Sequence, residues 1–285
     1  MSDWLERVRT AYDADPEAEW QRLEWRVQNR IEYLVTLHAL ERHLPPPDPT
    51  VRVLDAGGGP GRYTIALAER GYTTTLLDLS TGNVSLARRR IDSASQDVAA
   101  RVEATIEGSI TDLSHFLDAQ FDAVLCLGGV LSHVIDRAQQ VRALAELQRV
   151  AKPDAPLLIS VGNVIFGLRG LVQQPCPPWT APCADPAADP EETTRLGNLE
   201  CGAPYYWFMP EEFAALLEEV GLRLVRLYGC QGIAAHLPWD HLEALMADPV
   251  RWPTCRRLLL ATCDHPNVVG LSGHLIAVAQ RAADY

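Results

Sequence analysis

Apolar positions along this chain recur with two different periods. From Trp20 to His38 they return every three or four residues (Trp20, Leu23, Val27, Ile31, Leu34, His38), the one-sided stripe of a long helix, and residues 1–44 read as helical. Asp15-Pro16-Glu17 supplies an N-cap, a first-turn proline and an acid at a helix start. Pro45-Pro46-Pro47-Asp48-Pro49 ends the stripe and forms a stiff connector. Beyond it come short apolar runs with little polar alternation: Val51–Leu54, Thr73–Leu79, Val102–Glu107, Phe121–Gly129 and Leu157–Val161. Runs of this kind belong to strands covered on both faces, as in a parallel sheet. Helical patterns separate them, around Ile65–Ala68, Val84–Ile91 and 136–150. The alternation predicts an α/β fold: a mainly parallel, doubly wound sheet with helices on both faces.

The C-terminal third continues less regularly. Pro210-Glu211-Glu212 opens a helix that carries Phe213, Leu216 and Leu217 and stops at Gly221. Leu222–Tyr228 alternates as a strand, helices follow near 238–248 and 251–263, and Ser272–Ala279 reads as a closing strand. Between 162 and 209 the pattern is weak: a helix over Asn163–Gln173, then a proline-crowded surface loop or lid over 175–190, then the aromatic run Tyr205–Met209. The expected organisation is a helical cap and connector at 1–50, a ligand-binding core at 51–161, a lid and cap segment at 162–209, and the rest of the core at 210–285, with a helical insertion about 231–271.

The run Val51–Leu54 leads into Asp55-Ala56-Gly57-Gly58-Gly59-Pro60-Gly61, and a helix leaves it. Strand, glycine turn and helix start together aim backbone N–H groups at whatever sits over the strand end. The dinucleotide fingerprint Gly-x-Gly-x-x-Gly fails here: counted from Gly57 its third glycine is Arg62, and counted from Gly59 it is Thr64. About 20 residues further on, Asp78 ends the next strand, where α/β nucleotide folds place a carboxylate for ribose hydroxyls. Ser80 is a natural N-cap for the helix after it.

The series Asp55-x-Gly57-x-Gly59-x-Gly61 resembles the first motif of the class I S-adenosylmethionine-dependent methyltransferases. Phe121-Asp122 with its apolar run resembles their fourth motif. Arg149-Val150-Ala151-Lys152-Pro153 resembles their turn into the fifth strand, although Asp154-Ala155-Pro156 replaces the usual glycine pair. The likeness covers about 51–161 and more loosely 204–281. It implies a seven-stranded sheet with one antiparallel strand. It also implies S-adenosyl-L-methionine as cofactor, S-adenosyl-L-homocysteine as product, and a site across the ends of the first, second and fourth strands. The implied cofactor residues are Asp55, Gly57, Gly58, Gly59, Gly61 and Asp78. Leu79 and Ile110 pack the adenine, Ser109 stands where the family carries an acid, and the Leu127 and Gly128 carbonyls face the methionine amino group. Tyr12 on the N-terminal helices either folds over the cofactor or only helps cover the sheet. His133 lies over the same rim, as a general base or as a packing residue. Tyr205 and Trp207 either complete a substrate wall or belong to the core.

Methyl transfer needs an acceptor aligned with the sulfur–methyl bond and a base only when the acceptor must lose a proton. The reading is therefore an S-adenosylmethionine-dependent methyltransferase acting on an oxygen or nitrogen of a small molecule. A non-catalytic regulator that binds the same cofactor is the alternative, and a nicotinamide-dependent oxidoreductase, lacking a Tyr-x-x-x-Lys pattern, ranks below both. A formal charge of −12 disfavours broad binding to nucleic acid or an anionic membrane. No apolar run approaches the ~18–20 residues of a membrane span. The N-terminus has no signal-peptide core, and seven cysteines without CxxC spacing fit reduced thiols, so a cytoplasmic location is expected. Cys176, Cys183 and Cys201 match no zinc spacing, and no metal is expected.

Overall fold

The computed structural model describes residues 3–165, 196–198, 202–235 and 237–282. Most of the helix expected over 163–173, the proline-rich loop at 175–190 and Cys176, Cys183 and Cys201 lie outside them. In chain order the described elements are α1 (Asp3–Ala14), α2 (Pro16–Trp25), α3 (Val27–His43), β1 (Arg52–Ala56), α4 (Arg62–Arg70), β2 (Thr73–Asp78), α5 (Thr81–Asp92), α6 (Gln96–Ala99), β3 (Val102–Glu107), β4 (Ala123–Cys126), α7 (Arg137–Val150), β5 (Leu157–Gly162), β6 (Leu196–Asn198), β7 (Pro204–Tyr206), α8 (Pro210–Glu219), β8 (Leu222–Gly229), α9 (Trp239–Ala247), α10 (Trp252–Thr262), α11 (Pro266–Val269) and β9 (His274–Arg281). Seven strands form one sheet in the order β3-β2-β1-β4-β5-β9-β8, and β6 pairs with β7 in a separate hairpin. The pairings from β3 through β5 are parallel; β9 runs antiparallel between β5 and β8.

Neighbouring residues on each central strand enter different cores, which is why these runs lack polar alternation. Leu54, Val124, Leu157 and Ile159 pack with Leu144 and Leu147 of α7 and Phe213 and Leu217 of α8. Val53, Leu125 and Leu158 face the other way, onto Ile31 and Val35 of α3, Leu67 of α4 and Leu259 of α10. Helix ends follow the local chemistry: the Ala18 N–H donates to the Asp15 carboxylate, the Asn83 N–H to the Ser80 hydroxyl, and Gly71 takes φ +104° beyond α4.

The N-terminal stripe is not one helix. Arg26 is extended (φ −101°, ψ 144°) and separates α2 from α3. Asn29 Nδ2 donates to the Arg22 carbonyl at 2.7 Å, covering a C=O freed at the end of α2. The break lets α3 lie on the sheet while α2 turns toward the glycine loop.

Candidate functional site

The glycine loop is built by tight packing as much as by exposure. The Gly57 and Gly58 N–H groups donate to the Leu77 carbonyl at 2.6 and 3.1 Å, which ties the loop to the end of β2. Gly57 has φ +82°, and a Cβ there would lie 2.4 Å from Val130; a Cβ on Gly58 would lie 2.7 Å from Asp55. Gly59 has only distant neighbours and faces a cavity of about 920 Å³, counted with its mouth. Gly57, Gly58 and Gly59 line that cavity with Asp78, Leu79, Ser109, Ile110, Leu127, Gly128, His133 and Tyr12.

Four of the expected residues lie elsewhere. Gly61, at φ +92°, opens α4 beside Ala87. Asp55 is buried beneath the loop, where it accepts from the Thr64 hydroxyl at 2.6 Å; burial lifts its carboxyl to about 6 against that hydrogen bond. Tyr205 is buried behind His133, its ring 4.9 Å from the imidazole and nearly perpendicular to it. It packs so closely over the sheet edge that a Cβ on Gly129 would sit 2.3 Å from its hydroxyl, and one on Gly162 2.4 Å from its ring. Trp207 packs against Tyr205 with the ring centroids 4.7 Å apart and the planes inclined at 60°, and neither lines the cavity.

Asp78 is 8% exposed. Its Oδ2 accepts from the Gly59 N–H at 2.8 Å, and its Oδ1 from the Ser80 N–H at 2.9 Å and Asn83 Nδ2 at 3.3 Å. Burial outweighs these three hydrogen bonds and raises its carboxyl to about 6. Ser109 turns its hydroxyl to Thr111, 2.8 Å away, and leaves an apolar end to the cavity around Leu79 and Ile110.

At the β4 rim, His133 Nδ1 lies 2.8 Å from the Pro204 carbonyl and Nε2 lies 2.8 Å from the Tyr12 hydroxyl. A carbonyl only accepts, so Nδ1 carries the proton and Nε2 accepts from Tyr12. Burial pushes the ring down to about 4, against the pull of the Pro204 carbonyl, so it is neutral at physiological pH. With both nitrogens engaged, His133 has no lone pair free for a substrate proton.

Helices α1 and α2 form a strap over this cavity. Asp13 accepts from the Ser80 hydroxyl and the Gly82 N–H at the start of α5. The Trp20 ring lies between the guanidinium groups of Arg62 and Arg90, 4.1 and 4.6 Å from its centroid. The strap also delivers Arg22, which sequence reasoning missed. Its guanidinium lines the cavity beside Gly128 and is held by Glu19 at 2.8 Å and by Glu32 of α3 at 3.3 Å. Burial works against the charge of Arg22, but the two carboxylates prevail and hold its pKa well above the usual value. A usable signal was an acid, Glu32, on the core-facing side of α3 beside Ile31.

The cavity thus has an anionic acceptor at Asp78, a cation at Arg22 and an apolar end at Leu79 and Ile110. That set suits a ligand with vicinal hydroxyls, a carboxylate and a flat ring, and S-adenosylmethionine carries all three. Among the described residues no cluster of three or more His, Cys, Asp or Glu is arranged for a metal ion, and no helix is long and apolar enough to cross a membrane.

Residues 53–154 match the family model of the methyltransferase domain. A glycine/sarcosine N-methyltransferase of Aphanothece halophytica is 26% identical over 145 residues, 50% of this chain and 51% of that protein. The chain spans about half the length of most of the curated relatives it matches. Among solved structures, a 1,6-didemethyltoxoflavin-N1-methyltransferase of Burkholderia thailandensis, with 1,6-didemethyltoxoflavin and S-adenosylhomocysteine bound, superposes with a TM-score of 0.54 at 20% identity, covering 96% of this chain and 85% of that one. That likeness is one of fold. A ubiquinone biosynthesis O-methyltransferase of Xylella fastidiosa matches further along the sequence, 31% identical over 198 residues and 69% of each protein. With the glycine loop, the strand order and identity at that level over two thirds of both sequences, the chain belongs to the class I S-adenosylmethionine-dependent methyltransferases.

Proposed function

We propose that this protein transfers the methyl group of S-adenosylmethionine to an oxygen or nitrogen of a small molecule. The observation that carries the reading is Asp78: a buried carboxylate that faces the cavity beside a glycine loop, raised to about 6 by its burial. Asp78 accepts from the ribose hydroxyls. Leu79 and Ile110 hold the adenine, with Ser109 at its edge. Gly57, Gly58 and Gly59 let the amino-acid portion approach the backbone, and the carbonyls of Leu127 and Gly128 face its amino group. Arg22 meets its carboxylate. Asp55 and Gly61 support the loop from beneath.

The bound sulfonium supplies an already activated methyl group, so the protein's work is alignment and exclusion of water. The strap, with Tyr12 and Trp20, covers the cavity. His133 positions Tyr12 through its neutral ring, and Tyr205 and Trp207 buttress His133 from behind. The small-molecule acceptor rests on this cover: α1 and α2 lie over the cavity, latched to α5 through Asp13. The N- and O-methyltransferase relatives are consistent with either nucleophile. Calorimetry should show binding of S-adenosylhomocysteine and none of NAD. A screen with S-adenosylmethionine labelled on the methyl group, against glycine, sarcosine and a panel of phenols, should return transfer to a small acceptor. Tighter binding of NAD would overturn the proposal.

A further inference from the structure

A second groove runs between the C-terminal half of α3 and α10, and it shares no lining residue with the cofactor cavity. Its walls follow from helical spacing. His38 and Arg42 stand one turn apart on α3, and Arg256, Arg257, Leu260 and Ala261 recur at steps of three and four along α10. Leu259, between them in sequence, turns the other way and anchors α10 to the core. The groove encloses about 890 Å³, counted with its mouth.

The acids beside this groove are already engaged. Asp264 lies 3.6 Å from Arg226 of β8, and Glu41 lies 3.7 Å from Arg70 of α4. Arg42, Arg256 and Arg257 are exposed, and among the described residues none of the three has a carboxylate within salt-bridge distance. Guanidinium groups from both walls converge on His38. Burial holds its ring below the ordinary value, and Arg42 of its own helix and Arg256 of α10 push the same way, against Glu41 and Asp264. His43, one turn beyond Ala39, feels Arg42 and Arg226 in the same sense after its own burial. Arg42, in the last turn of α3, also suits the helix dipole. Arg256 and Arg257 lie in the middle of α10, where the dipole asks for no cation.

A concave site with three uncompensated guanidinium groups is unusual on so acidic a chain. Setting these three arginines aside from the formal charge of −12 leaves −15 on the rest of the molecule. A long polyanion lying across the groove would meet that charge on either side, so a compact anion fits better. The planar guanidinium fork matches phosphate oxygens two at a time, and Leu260 and Ala261 offer an apolar wall to the ligand's body. We infer that the groove between α3 and α10 binds a small organic phosphate, held by Arg42, Arg256 and Arg257, at a site separate from that of the cofactor.

Inorganic pyrophosphate is the probe, titrated into the full chain by calorimetry at low ionic strength, where exposed charges are least screened. Wild type should bind it, and the double variant Arg256→Ala with Arg257→Ala should bind it ~10-fold more weakly or worse. Arg88→Ala, an exposed arginine of α5 bonded to Thr105, should leave binding unchanged. Affinity of the double variant for S-adenosylhomocysteine should stay within about twofold, as for sites without shared partners. In wild type, proton NMR should show the His38 ring titrating at higher pH with pyrophosphate present, because a neighbouring anion favours the imidazolium. Absence of binding, binding that the double variant keeps, displacement of pyrophosphate by S-adenosylhomocysteine, or a His38 ring that does not respond would each overturn the inference. Citrate or a short RNA held more tightly than pyrophosphate by the same arginines would overturn the assignment to a small phosphate.

Discussion

Replacing Asp78 with Asn should move stability and cofactor affinity in opposite directions. The carboxyl is buried and held at about 6 instead of 3.8. Because the folded value is the higher one, the folded state gains no penalty below about pH 4, loses stability as pH rises, and carries the full cost above about 6. That cost is roughly 3 kcal/mol at neutral pH. Asn does not ionise and escapes it. Against this, Asn offers one acceptor oxygen to the Gly59 and Ser80 N–H groups, which now bond to separate oxygens. One N–H is left facing an amide NH2, at about 1–2 kcal/mol. The ligand-free variant should therefore be as stable as wild type or more stable by about 1–2 kcal/mol in urea unfolding. The same change removes an ionised acceptor for the ribose hydroxyls, worth about 1.5–3 kcal/mol, so the dissociation constant for S-adenosylhomocysteine should rise ~10- to 150-fold in calorimetry. A variant that loses stability and affinity together, or keeps its affinity, would refute the account.

In wild type, affinity for S-adenosylhomocysteine should fall as pH drops below about 6, where Asp78 protonates, and this part of the pH dependence should vanish in Asp78→Asn. Gly57→Ala places a side chain at φ +82° and 2.4 Å from Val130, so urea titration should show a loss of roughly 2–5 kcal/mol. Asp13→Ala unlatches the strap from α5; stopped-flow should show S-adenosylhomocysteine leaving ~5- to 10-fold faster with the melting temperature little changed. His133→Ala strands the Pro204 carbonyl and leaves a void beside Tyr205, so thermal melts should report a loss of about 2–4 kcal/mol.

What could be read from the sequence was what is encoded locally. β1, β2 and β5 declare themselves because both faces of each strand are buried, and the caps at Asp15, Ser80 and Gly71 because capping acts over three or four residues. The loop and Asp78 were legible because strand length and helix length fix their separation. The break at Arg26 was hidden, since no proline or glycine marks it and the apolar period runs through it. Arg22 was invisible for another reason. It is unremarkable where it stands, and only the fold brings it from α2 against the buried Glu32 of α3. The burial of Tyr205 was hidden as well, because its partners, Gly129, Gly162 and His133, come from three places in the chain.

The Tyr205 ring also constrains how this sequence can drift over evolutionary time. Gly129 is required twice, by its φ of +82° and by the hydroxyl above it; Gly162 has ordinary backbone geometry and is kept small by side chains alone, Tyr205 at 2.4 Å and Trp207 at 3.0 Å from where its Cβ would stand. A lineage that shortens residue 205 removes the tighter of the two contacts at position 162 and frees position 129 hardly at all. In related sequences position 162 should therefore covary with 205, while 129 stays glycine whatever stands opposite it. Moving a larger residue into 162 alone is a dead end, reachable only after the tyrosine has gone.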